Sequence, residues 1–118
     1  MEDIYKKFET RLCSYLNYLI SIREIKTYAE VVEYCEIPSP QKIRKLNELL
    51  LKITEEDIKA KKPLRSALIV SKIEIINGAR IPNEDFFRLL KYYNIYRGKN
   101  DKISITNFHK RLIENLFI

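Results

Sequence analysis

Glycine is almost missing from this chain: Gly78 and Gly98 are the only two in 118 residues. A glycine-rich phosphate cradle is excluded, because such a loop needs several positions where backbone meets ligand without a Cβ. Imidazole is scarcer, with His109 alone, and there are two cysteines, Cys13 and Cys35. Bound transition metals need clustered imidazole, thiolate or carboxylate ligands, and those three residues form no such set. A nucleophile with an oriented base fails for the same want of partners. His109 is expected to face solvent from the last helix, between Phe108 and Lys110. No metal, cofactor or catalysis is therefore expected, and the carboxylates Glu55, Glu56 and Asp57 read as the acidic first turn of a helix. Cys13 and Cys35 sit among apolar neighbours and read as free buried thiols. No apolar run approaches the ~18 residues of a membrane span, and the opening MEDIYKKFE has no signal-type core. A cytoplasmic protein with no membrane partner is the expectation.

Charge and apolar side chains are plentiful instead. Lys and Arg number 22 against 16 Asp and Glu, a formal +6 that suits nucleic acid or an acidic protein surface. Hydrophobic residues at 46% are enough for a core without disulfides, and residues 1–118 make a single domain.

The apolar spacing lays out the elements. Ile4, Phe8, Leu12, Leu16 and Leu19 form one stripe of a helix over residues 3–21. Thr27 with Glu30 makes a capping box for a short helix to Cys35, burying Val31 and Val32. Pro38 ends that helix, and Ser39 with Pro40 is expected to open the next as N-cap and first position. This third helix buries Ile43, Leu46, Leu50 and Ile53, and Thr54 is expected to restart a separate short helix. From Leu64 to Val70 apolar residues alternate as in a strand, Ile73–Ile76 is a second run, and Asn77-Gly78 is a hairpin turn with Ala79–Ile81 pairing back. Asn83 to Asp85 starts a helix carrying Phe86, Phe87, Leu90 and Tyr93. Residues 96–102 read as a polar loop, and the last helix is expected over Thr106–Phe117.

Thr27-Tyr28-Ala29-Glu30-Val31-Val32 resembles the T-Y-G-E-I-A opening of the helix-turn-helix in the C-terminal domain of the alkylguanine-DNA alkyltransferases. Pro63-Leu64-Arg65-Ser66 followed by Ala67 to Val70 falls near that family's P-C-H-R-V-V strand. The resemblance spans residues 20–72. It implies a winged helix-turn-helix in which Tyr28 meets a phosphate and Arg44, or Lys42 at the ungapped count, enters the duplex. It does not imply the activity. Leu64 stands where the alkyl-accepting Cys belongs, and the His-Arg pair of that motif is absent.

The expectation is an α+β, winged helix-turn-helix-like domain of five or six helices with a short β-hairpin. Its function is expected to be non-enzymatic nucleic-acid binding by a regulator, with duplex DNA ahead of RNA. The expected contacts are Tyr28, Lys42, Arg44, Lys45, Lys52, Lys61, Lys62, Arg65 and Arg80. The alternative is a protein-interaction module, an adaptor, effector or inhibitor, with a protein partner or a second copy. It would use an apolar patch of Tyr15, Tyr18 and Leu116-Phe117-Ile118. The stretch Lys91–Lys102 interleaves Tyr92, Tyr93 and Tyr96 with cations, a mix that suits single strands, although core packing accounts for its tyrosines.

Overall fold

A computed structural model describes residues 2–75 and 78–118, with side chains from Lys6 onward. Its elements run α1 (Glu2–Ile22), β1 (Lys26–Thr27), α2 (Tyr28–Cys35), α3 (Lys42–Lys59), a 3-10 turn (Arg65–Leu68), β2 (Ile69–Val70), α4 (Glu84–Tyr92) and α5 (Lys102–Leu116). This is an α+β domain of five α-helices around a minimal sheet.

Most of the expected helical stripes bury, although Phe8 is half-buried and the side chain of Ile4 lies outside the described residues. Leu12, Leu16 and Leu19 of α1 are fully enclosed, with Val31, Val32 and Cys35 of α2 and Leu46, Leu50 and Ile53 of α3. Tyr15 is buried too, its ring stacked 3.8 Å from that of Tyr34. It is therefore not part of an exposed patch, and Leu116 is likewise buried. The Thr27–Glu30 capping box forms in full, satisfying two backbone N–H groups that would otherwise be unpaired.

Three expectations for residues 39–60 are corrected. The N-cap of α3 is Gln41 in the left-handed region (φ 58°), not Ser39, and its side chain makes no capping bond. Ile43, in the first turn, is 46% exposed. The helix also runs on through Thr54. The Thr54 hydroxyl donates to the Leu50 carbonyl one turn back at 2.7 Å, so it stays inside the helix instead of capping a new one.

The strand expected over 64–70 is mostly a 3-10 turn, and only Ile69 and Val70 form a paired strand. Side chains explain the difference. Asp57 accepts from the Arg65 backbone N–H at 3.1 Å, the Thr54 and Ser66 hydroxyls bond each other, and His109 Nε2 donates to the Ala67 carbonyl at 2.8 Å. The Arg65 N–H and the Ala67 carbonyl, which a neighbouring strand would have paired, are taken up by Asp57 and His109, while the hydroxyl pair ties the turn to α3. His109 is thus buried, not solvent-facing as expected.

The sheet pairs β1 with β2 in parallel, Lys26 opposite Ile69 and Thr27 opposite Val70, so it is not the expected hairpin. Residues 71–75 do run back against residues 79–81: Ser71 N–H donates to the Ile81 carbonyl and Ile75 N–H to the Ala79 carbonyl, each at 2.9 Å. Gly78 takes a positive φ of 78° there, while Ile76 and Asn77 lie outside the described residues. Asn83 caps α4 by accepting from Phe86 N–H. α5 starts at Lys102, four residues before the expected Thr106, because Asp101 caps it through the Ser104 N–H at 2.8 Å.

Candidate nucleic-acid interface

α3 carries four of the nine expected contacts, Lys42, Arg44, Lys45 and Lys52, and its geometry separates them from others. At 18 residues it is about 27 Å long. Lys42, Arg44 and Lys45 stand at its start, whereas Lys61 and Lys62 follow its end. These cations fall into two groups at opposite ends of the helix.

Four of the nine expected residues are engaged inside the fold. Arg65 grips Asp57 with Nε at 3.1 Å and a terminal nitrogen at 2.9 Å, and the Asp57 side chain is only 2% exposed. Such a pairing is structural, since the carboxylate could not stay buried without it. Lys52 donates to Glu9 Oε2 at 2.9 Å, tying α3 to α1. Tyr28 accepts from the Asn83 N–H at 3.0 Å, and Asn83 donates to Asn47, which donates to Asp85. The Tyr28 hydroxyl therefore locks α2 to α3 and α4. Burial pushes its pKa up to about 12, against the lowering effect of the Asn83 bond. Lys45, half-buried, donates to the Pro38 carbonyl at 3.1 Å and closes the turn before α3.

The remaining five are exposed. Arg44 meets Glu48 at 3.5 Å, one turn along. Lys42, Lys61, Lys62 and Arg80 have no carboxylate within salt-bridge distance among the described residues. Arg80 is close enough to Glu30 to help hold its carboxyl below the ordinary range, after the larger effect of the Thr27 hydrogen bonds.

The outward side of α3 also carries Glu48, Glu55 and Glu56 among its cations, so its charge is mixed. The chain's positive excess lies elsewhere. Residues 1–59 hold 10 Lys and Arg against 11 Asp and Glu, while residues 60–118 hold 12 against 5. Arg97, Lys99, Lys102, Lys110 and Arg111 are exposed in that second half. The first three belong to the Lys91–Lys102 stretch whose mix suits single strands, and Lys110 and Arg111 were not among the expected contacts. The division of charge between the two halves would have pointed to them; a count over the whole chain hides it.

Burial disfavours the thiolate at both cysteines. Burial drives the Cys35 pKa up to about 11 and raises that of Cys13 as well. His109 is shifted the opposite way, its pKa lowered by burial although the Ala67 carbonyl favours the charged form. Among the described residues no group of three His, Cys, Asp or Glu could hold a metal ion, and no helix is long and apolar enough to cross a membrane. Comparison with protein-family models, with curated proteins and with solved structures finds no match to this chain.

Proposed function

We propose that this chain is a non-enzymatic nucleic-acid-binding protein of winged-helix-like plan that meets duplex DNA at the start of α3. On this reading α2, residues 36–41 and α3 are helix, turn and recognition helix. The fold-back of residues 71–81 is the wing, bringing Arg80 toward phosphate. The alkyltransferase-type resemblance belongs to the same proposal, with Arg44 or Lys42 at the groove.

One observation carries the reading. The first turn of α3 holds no acidic residue, Gln41 gives its N–H groups no side-chain cap, and Lys42 and Arg44 stand exposed beside them. The positive end of the helix and these cations act at one place, where an anion is stabilised. The Arg44–Glu48 pair joins two exposed groups and exchanges readily for a phosphate.

A K42A/R44A/K45A variant tests it. Duplex affinity should fall more than tenfold, and the slope of log affinity against log salt should shrink by about 1.8, at roughly 0.9 for each of the Lys42 and Arg44 contacts. Unchanged titration curves would rule out this end of α3 as the contact.

A second reading, a protein-interaction module, is favoured by a groove of about 620 Å³ between residues 71–82 and α4. Ile73, Ile81 and Phe87 line it, with Arg88, Lys91 and Lys102 among the polar lining. That reading expects no duplex binding even at low salt.

A further inference from the structure

We infer that a second, separate site for a single strand of nucleic acid lies along α5, formed by Lys61, Lys62, Arg97, Lys110 and Arg111. The inference goes beyond the duplex reading and uses none of the α3 residues, so either can fail alone.

The site is continuous. A cleft of about 720 Å³ runs between residues 95–98 and α5, lined by Arg97, Lys110 and Arg111, with Glu114 its one carboxylate among the described residues. A neighbouring cleft is lined by Lys61 and Lys62, and Ile95 lines both. The two clefts therefore adjoin at Ile95, and together the five cations line them. None of the five has a carboxylate within salt-bridge distance among the described residues. Their charge is not neutralised at close range, so a chain of phosphates gains most here.

The chemistry of the floor selects the strand. Phe108 and the buried Tyr96 lie with ring centroids 4.8 Å apart, and the Arg111 guanidinium stands over the Phe108 ring at 5.8 Å. A planar cation backed by an aromatic ring offers a platform to an unstacked base, while a duplex keeps its base faces hidden. Ser104 and Asn107 line the same cleft and bring hydroxyl and amide groups for base edges. Gly98 keeps the cleft in shape. A Cβ there would come within 2.8 Å of the Tyr96 ring, whose hydroxyl donates to the Lys99 carbonyl beneath it.

The test is fluorescence anisotropy with a labelled oligothymidine strand. K110E/R111E should weaken strand binding at least about tenfold and reduce the salt slope by about 1.4, at roughly 0.7 per phosphate contact. R111K, which keeps the charge and loses the planar face, should cost about threefold with the slope unchanged. The K42A/R44A/K45A variant should leave strand affinity within about twofold. Full strand affinity in K110E/R111E overturns the site. An unchanged R111K overturns the base platform, and with it the preference for a single strand. Polyglutamate bound as tightly as the strand overturns nucleic acid in favour of an acidic protein. Thermal melts check that each variant is folded, and K61E/K62E, in the loop after α3, gives the same readout should K110E/R111E unfold.

Discussion

The cations of α3 and those of α5 look alike in sequence and differ in what faces them. Along α3 and just beyond it, Arg44, Lys52 and Arg65 each have a carboxylate from the same chain, Glu48, Glu9 and Asp57, while Lys42, Lys45 and Lys59 have none among the described residues. Around α5, Lys110, Arg111, Arg97, Lys61 and Lys62 have none among the described residues. A lysine-rich stretch is thus no measure of attraction for a polyanion. What counts is whether the fold supplies its own counter-ions, because a neutralised pair has little field left for a ligand.

The sharpest way to break this contrast is at its structural extreme. Asp57→Ala strands the Arg65 guanidinium and should lower stability by about 3–5 kcal/mol in chemical denaturation. Arg65→Ala should do comparable harm, since the enclosed carboxylate is then left alone. Were Arg65 instead a ligand contact, its loss would weaken binding and leave the denaturation midpoint in place. Lys110→Ala, at the other extreme, should stay within about 0.5 kcal/mol of the parent.

His109 sharpens the comparison further, being the one titrating group that pins the 3-10 turn to α5. Removing it with His109→Ala should cost about 2 kcal/mol, from the bond to Ala67 and the space left behind. Its depressed pKa sets the pH dependence. Below about 6.5 the unfolded chain takes up a proton that the folded protein resists, so stability falls with pH from there down to the folded value and then levels. Thermal melts between pH 7.5 and 5 should show this loss, and His109→Gln should flatten it. A midpoint that rises on acidification would mean the ring is charged in the fold. The smallest effect is expected for Lys52→Ala, which removes an ion pair open to solvent on the lysine side and should barely move either the melt or strand binding.

The helices were legible because their cores repeat at short intervals. Leu12, Leu16 and Leu19, or Thr27 with Glu30, interact within one turn and can be read without the fold. Long-range polar partners could not be read this way. His109 bonds a carbonyl 42 positions away, and β1 meets β2 across a comparable gap with two residues each. Ser66 and Asp57 are satisfied only once α3 and the 3-10 turn are packed, so an alternating run looked like strand. The cap of α5 was hidden because Asp101 and Ser104 lie in a polar run that reads equally well as loop. The candidate α3 contacts were visible as residues, but their pairing with Glu9, Glu48 and Asp57 was not. The α5 cations were visible too, diluted by counting charge over the whole chain.

The most direct measurement is a map of backbone amide shifts in the labelled protein, titrated with an oligothymidine strand and then with a duplex. The strand should perturb residues 95–98 and 104–111, and the duplex should perturb residues 41–45. A strand that moves the start of α3 and leaves α5 untouched would contradict the account, because the single strand would then share the duplex's site and the α5 cations would bind nothing.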